Sequence, residues 1–251
     1  MIGRRARGGR AWDAVIKIGG SLSSAGPLRP LIATLERLAR RHRLLIVPGG
    51  GAFADLVRRE RRRLRLPEVA AHRMALRGMD QYGLMLAALG RASGAVEEDE
   101  AAWRLAARGR LPVIIVSSLI EREPRLERSF RLTSDSIAAY IAGRIGAGRL
   151  VLLKSTDRGN GRIRTRREAG RIARLGVVDP LFAKMMPDGV ETWIANGRHA
   201  GTIERLLSAQ TSAADRPARG VRAERSVRAE RFGTPRRARR KAATRSERRA
   251  P

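Results

Sequence analysis

A lysine placed just before two glycines is the feature of this sequence best suited to chemistry. Four of the 53 basic residues are lysines, namely Lys17, Lys154, Lys184 and Lys241. In a chain this rich in arginine, lysine is expected where a compact point charge is needed that a planar guanidinium does not provide. Lys17 lies in a short apolar run that ends in Gly19, Gly20 and Ser21. We therefore predict that a buried strand delivers the Lys17 ammonium to a turn whose backbone N–H groups hold an anion.

A second glycine turn follows the next apolar run. Gly49, Gly50 and Gly51 come after Leu44–Val47 and Pro48, and a helix-like segment follows them. Glycine allows a backbone to approach an anion closely, and a helix N-terminus adds partial positive charge. The two turns could therefore hold two phosphates, or a phosphate and a second anion, although ordinary turn chemistry also explains each turn alone. Neither turn matches the Walker or the dinucleotide-binding pattern.

The elements that must position these residues alternate between strand-like and helical segments. The predicted strands are Ala14–Ile18, Leu44–Val47, Val113–Val116, Leu150–Leu153 and Glu191–Ala195. The predicted helices are Leu28–Arg43, Ala71–Leu89, Ser134–Ile145 and Thr202–Leu207. This alternation predicts an α/β fold, a three-layer αβα sandwich with a mainly parallel central sheet. Ligands of such sheets bind outside the carboxyl ends of the strands, which is where both glycine turns fall.

Composition excludes several classes of protein. There is no cysteine, so thiol catalysis, disulfides and cysteine-ligated metals are excluded, and the three histidines are too far apart in sequence to suggest a metal site. No apolar run is long enough to span a membrane, and the basic N-terminus lacks the apolar stretch of a signal peptide. We expect a cytoplasmic protein that does not associate with membranes and forms a homo-oligomer.

The net charge of +29 is unevenly distributed along the chain. Residues 211–251 carry 14 basic and four acidic side chains with few apolar ones, so we predict a disordered Arg-rich tail that binds polyanions weakly and without sequence preference. Residues 1–11 are predicted to be a basic N-terminal extension, and residues 12–210 the folded domain. Only 4% of the residues are aromatic, which argues against a protein dedicated to binding single-stranded nucleic acid.

Three ordered motifs resemble those of the amino acid kinase superfamily, which includes acetylglutamate, aspartate and uridylate kinases. The motifs are Val15–Ser21, Ile46–Ala54 and Leu132–Ala139, and the resemblance extends from about Trp12 to Leu207. It implies the amino acid kinase fold and transfer of the γ-phosphoryl group of ATP, with Mg²⁺ bound mainly through phosphate oxygens. The expected partner is a small molecule that accepts the phosphoryl group through a phosphate or a carboxylate.

The resemblance also implies roles for individual residues. Lys17 would neutralise charge on the transferred group, and Asp135 would orient the lysines, although Asp135 is also a suitable first-turn residue for a helix. Gly19, Gly20 and Ser21 would hold ATP phosphates, and Gly49, Gly50 and Gly51 the acceptor. Further ATP-binding residues implied by it are Lys154, Thr156, Asp157 and Lys184.

The nucleotide half departs from the family pattern. A Val-Asp-Gly-Val-Tyr stretch commonly follows the Thr-Asp pair in the family, but this chain continues as Arg158–Arg162. The glycine-methionine signature that usually precedes the second ATP lysine is also missing before Lys184.

The last motif of the domain narrows the range of possible phosphoryl acceptors. Trp193–His199 is similar to the Val-Asn-Gly-Lys-Tyr-Pro motif of archaeal-type kinases of methanofuran biosynthesis, and His72–Gly83 also resembles those enzymes. An aminomethylfuran-methyl phosphate is therefore the expected acceptor. The alternatives are a nucleoside monophosphate or an amino-acid carboxylate, or a relative that binds oxyanions without catalysis.

Overall fold

One seven-stranded sheet organises the computed structural model, which describes residues 12–25 and 28–208. The strand order is β3-β4-β2-β1-β5-β7-β6, and β6 pairs antiparallel with β7 while the other pairs are parallel. The strands are β1 Ala14–Ile18, β2 Leu44–Pro48, β3 Ser93–Val96, β4 Leu111–Ile114, β5 Arg149–Lys154, β6 Gly161–Ile163 and β7 Glu191–Asn196.

Helices cover both faces of this sheet. In the described part of the chain they are α1 Leu22–Ala25, α2 Leu28–Ala39, α3 Gly51–Leu64, α4 Glu68–Leu89, α5 Asp99–Ala107, α6 Ser117–Glu121, α7 Ser134–Ile145, α8 Arg166–Arg174, α9 Phe182–Met185 and α10 Ala200–Ser208. All five residues of β1 are buried, as expected for a central parallel strand that is covered on both sides.

The alternation of side chains along β1 assigns Lys17 to one face of the sheet. Ile16 packs in the hydrophobic cluster that includes Leu35 of α2. Val15 packs in the opposite cluster, with Ile137 of α7. Because side chains two residues apart share a face, Lys17 lies on the same side as α7.

The predicted α/β sandwich is confirmed, and the predicted elements differ from the observed ones mainly at their ends. Strand β1 and helix α7 have the predicted bounds, whereas β4 ends at Ile114 rather than Val116. Helix α2 ends at Ala39, and α4 begins three residues early at Glu68. Strands β3 and β6 were not predicted. They have four and three residues, and each contains a glycine, which weakens the apolar pattern of a strand.

Two predicted segments lie outside the described residues, namely the basic extension at 1–11 and the Arg-rich tail at 211–251. Within the described residues, no helix combines the length and apolar character needed to cross a bilayer.

Candidate active site

The candidate site lies where strands β1, β2 and β5 end. Backbone hydrogen bonds continue the sheet into the loops: Gly19 N donates to Leu153 O at 2.9 Å, and Gly49 N donates to Ile18 O at 2.8 Å. Both predicted glycine turns are thereby brought to one edge of the sheet, beside Lys154 at the end of β5. This is the edge where parallel sheets bind ligands.

The two glycine turns are in backbone contact with each other. A Cβ atom added to Gly20 would lie 2.2 Å from Gly51 N, and one added to Gly49 would lie 2.6 Å from Gly20 N. Gly51 itself has a φ of +55° and packs against the Tyr82 ring, a conformation that favours glycine. The glycines are therefore required for the turns to pack together, a reason that the sequence alone did not indicate.

Helix α3 begins in the second turn. It starts at Gly51, and no side chain caps its first turn. Its unpaired N–H groups and the helix dipole can thus receive an anion beside the glycine turns.

Two lysines converge on one buried aspartate at the centre of the site. Lys17 Nζ lies 2.8 Å from Asp135 Oδ1, and Lys154 Nζ donates to Asp135 Oδ2 at 2.6 Å. Lys17 and Asp135 are each only 4% exposed, so the charges act in a poorly screened environment. The resemblance implied that Asp135 orients the lysines, and the structure places both Lys17 and Lys154 beside it. We call these three residues the Lys–Asp–Lys cluster.

The charges in this cluster shift one another's titration. Burial would raise the pKa of Asp135, but the two ammonium groups outweigh it and lower the pKa below its usual value. Burial, assisted by the positive charge of Lys17, lowers the pKa of Lys154 to about 8. The cluster carries one net positive charge when both lysines are protonated, and is therefore suited to attract a phosphoryl group.

The loop after β5 is built from polar side chains. Ser155 Oγ donates to Ser21 Oγ at 2.9 Å, which ties this loop to the first glycine turn. Asp157 Oδ1 accepts hydrogen bonds from Asn160 and from Asn196 at the end of β7.

The two remaining sequence-predicted ATP residues are less closely tied to the cluster. Thr156 Oγ1 accepts from Arg158 N within the loop. Lys184 lies exposed on α9, and no carboxylate of the described residues forms an ion pair with it.

Two buried aspartates that sequence reasoning missed support the helices around the site. Asp80 of α4 accepts from Val116 N and Ser117 N, at the start of α6. Asp179 accepts from Ser136 N and Thr133 Oγ1 at the start of α7. An aspartate that caps a helix distant in sequence leaves no local pattern to recognise, since the usual capping signature lies within the helix's own first turn.

The residues fit a magnesium ion that arrives with ATP better than one held by the protein. No three metal-ligating side chains come together anywhere in the described residues. Both oxygens of Asp135 already face lysines, so phosphate oxygens would supply most of the ligands, as Mg²⁺ commonly requires at nucleotide sites.

Comparison with known proteins shows which family the chain resembles. The model of the amino acid kinase family matches residues 14–164. The [5-(aminomethyl)furan-3-yl]methyl phosphate kinase of Methanocaldococcus jannaschii is 25% identical over 201 residues, which cover 77% of this chain and 92% of that protein.

Solved structures share the fold. The uridylate kinase of Archaeoglobus fulgidus superposes with a TM-score of 0.61 at 18% identity, covering 79% of this chain and 96% of that one. The UMP kinase of Bacillus anthracis gives 0.57 at 14% identity, covering 79% and 93%. Because the family model matches more than half of the sequence, this chain belongs to the amino acid kinase family and is a phosphotransferase.

Proposed function

We propose that this protein transfers the γ-phosphoryl group of ATP to the phosphate of a small phosphate monoester, with [5-(aminomethyl)furan-3-yl]methyl phosphate as the preferred acceptor. The observation that carries the catalytic part of this proposal is the buried Lys–Asp–Lys cluster, which adjoins two packed glycine turns at the carboxyl edge of the sheet. A purely structural ion pair would not need two lysines at a ligand-binding edge.

In this mechanism the protein positions the reactants and neutralises charge. Gly19, Gly20 and Ser21 bind the phosphates of ATP, while Gly49–Gly51 and the start of α3 bind the acceptor phosphate. An acceptor oxygen attacks the γ-phosphorus in line, the bond from that phosphorus to the bridging β–γ oxygen breaks, and ADP leaves. When bound, Mg²⁺ neutralises phosphate charge and holds the ATP phosphates in position.

Lys17 and Lys154 supply the fixed positive charge at the transferred group. Asp135 holds both ammonium groups through separate oxygens, so neither needs to reorganise as charge develops. Such preorganised charge in a dry site is usually the largest contribution to catalysis. Asp135 neither accepts nor donates a proton in this scheme, because its lowered pKa keeps it ionised.

The choice of acceptor is supported by the archaeal relative. The similarity spans 92% of that protein, so it includes both the acceptor and the nucleotide halves. A phosphate-monoester acceptor also matches the site. Of the glycine N–H groups, those of Gly19 and Gly49 bind the sheet, and the other N–H groups of these two neighbouring turns suit two phosphates facing each other. The product of that reaction is a diphosphate ester.

The test is ADP release from Mg-ATP with a panel of acceptors. The panel holds [5-(aminomethyl)furan-3-yl]methyl phosphate, uridine monophosphate, acetylglutamate and aspartate, with the Lys17→Ala variant as control. We expect turnover with the furan phosphate that is lost in the variant. Turnover with uridine monophosphate or a carboxylate instead would overturn the acceptor assignment. ATP binding without turnover of any acceptor would contradict the furan phosphate, and a lack of ATP binding would favour a non-catalytic oxyanion-binding protein.

A further inference from the structure

We propose that Asp179 is a positioning residue of the active site, which fixes Asp135 and through it both lysines. The inference rests on the catalytic role proposed above for the Lys–Asp–Lys cluster. Asp179 lies in the loop between α8 and α9 and is 7% exposed. It touches the segment that carries Asp135 from a position 43 residues further along the chain.

The contacts of Asp179 are concentrated on the first turn of α7. Its Oδ2 accepts from Thr133 Oγ1 at 2.9 Å and from Ser136 N at 2.9 Å. Its Oδ1 accepts from Ser136 Oγ and, at 3.1 Å, from Leu181 N. Thr133, the N-cap residue of α7, does not cap the helix with its own side chain. The buried carboxylate of Asp179 therefore takes over this task, and Asp135 lies between the residues it binds.

These contacts require two accepting oxygens, which a carboxylate supplies, although burial raises the pKa of Asp179 above its usual value. Two of the four donors are backbone N–H groups on different oxygens, Ser136 N and Leu181 N, and they cannot reverse direction. An asparagine at this position would turn its amide NH₂ towards one of them and leave buried donors facing each other. The substitution Asp179→Asn therefore changes the hydrogen bonding while keeping the shape.

The charge of Asp179 also acts on the cluster. The charged groups that act on Lys154 are Lys17, Asp135 and Asp179. Burial and Lys17 lower the pKa of Lys154, and the two carboxylates oppose them. When it is ionised, Asp179 therefore raises the pKa of Lys154 and helps to keep that lysine protonated.

Kinetics of two single variants and their double variant test the proposal. Asp179→Asn should lower kcat by about 10–100-fold with a smaller change in the KM for ATP, because slight misplacement of a catalytic group costs about that much. In an Asp135→Asn background the same change should cost less than about twofold, since residues that act as a unit are not additive. The exposed Asp188→Asn is the matched control and should behave as wild type. A folded Asp179→Asn protein with wild-type kcat, or full additivity in the double variant, would overturn the proposal.

An acceptor-independent measurement keeps this proposal separate from the proposed function. With four lysines in the chain, ¹³Cε-lysine NMR resolves each ammonium, and Lys154→Arg identifies the Lys154 signal. The Lys154 signal should titrate near pH 8 in wild type and at lower pH in Asp179→Asn. An unchanged titration would refute the positioning role even if no acceptor were ever turned over.

Two further variants test the proposal if Asp179→Asn does not fold. Thr133→Val and Ser136→Ala each remove one donor while the carboxylate remains. We expect both variants to fold and to lower kcat in the same direction by a smaller factor. Wild-type kcat in both would contradict the proposal.

Discussion

Lys17 and Lys154 reach Asp135 from strands that are neighbours in the sheet but distant in sequence. Parallel pairing of β1 with β5 places Lys17 opposite Leu152, two residues before Lys154. Both ammonium groups therefore emerge at the same edge, and Asp135 of α7 lies between them. Two buried like charges are tolerated because one carboxylate binds both.

The substitution Lys17→Ala should remove activity and leave the fold intact. Asp135 retains the Lys154 contact at 2.6 Å, so its buried charge is still paired. We expect kcat/KM to fall by about 10²–10³-fold or more, as when one preorganised donor to the developing charge is lost. Steady-state kinetics and thermal unfolding measure the two effects. Lys241→Ala, outside the predicted kinase domain, is the matched control. Near-wild-type turnover by Lys17→Ala would contradict the proposed mechanism.

The pH dependence of kcat/KM should show a basic limb that reports Lys154. Its pKa is lowered to about 8 in the free protein, so the charged form is present below pH 8 and is lost as the pH rises through that value. Since kcat/KM reports groups of the free enzyme, activity should fall above about pH 8. Lys154→Arg keeps its charge at all these pH values and should remove the limb. If kcat/KM of Lys154→Arg still fell at the same pH, the basic limb would have to be assigned to another group.

Sequence patterns predicted the local features of the site better than its long-range contacts. The Lys17 strand and both glycine turns could be recognised because each is one short segment. The hydrogen bond from Lys154 to Asp135 and the three contacts of Asp179 with Thr133 and Ser136 join separate elements. They depend on which strands are neighbours in the sheet, and spacing along one sequence does not specify this.

The candidate active site includes two turns whose backbones pack directly against each other. The substitution Gly20→Ala would place a Cβ 2.2 Å from Gly51 N, so the turns must separate. We expect a loss of roughly 1–3 kcal/mol of stability, typical of overpacking, and a fall in kcat/KM of at least about 10²-fold because both proposed phosphate sites would move.

A glycine elsewhere in the chain provides the control for this prediction. A Cβ on Gly170 in α8 would have Ala183 Cβ as its nearest neighbour, at 4.0 Å. Gly170→Ala should therefore stabilise the protein by about 0.5–1 kcal/mol, the usual gain inside a helix. Thermal unfolding and steady-state kinetics of Gly20→Ala and Gly170→Ala measure these effects on stability and on kcat/KM. Equal effects of the two substitutions would show that turn packing is not what limits activity.

The sequence predicted poorly those elements in which the spacing of apolar residues does not mark the bounds. Strand β6 has three residues in an arginine- and glycine-rich loop, and it forms only by antiparallel pairing with β7. Strand β4 was displaced in the prediction because its apolar run continues past the strand into Ile115 and Val116. Helix α7 could be predicted at both ends because polar residues precede it and Gly146, with a φ of +63°, ends it.

The basic charge of the whole chain is divided between the tail at 211–251 and the residues before it. Residues 211–251 carry a surplus of ten positive charges out of the net +29, so the larger share lies before them. Many arginines of the described residues are already paired with carboxylates, for example Arg63 with Glu60 and Arg149 with Glu191. Paired charges release fewer counterions on binding a polyanion than unpaired ones, which favours the tail as the binding segment.

Deleting residues 211–251 should therefore weaken polyanion binding without reducing kinase activity. We expect kcat/KM of the truncated protein to stay within about twofold of wild type, because surface changes away from a site are usually nearly neutral. Binding to heparin should weaken, and the slope of log affinity against log salt should become shallower, because fewer counterions are released. Unchanged heparin binding would place the polyanion surface on the kinase domain instead. A joint loss of activity and thermal stability would show that the tail contributes to the folded enzyme.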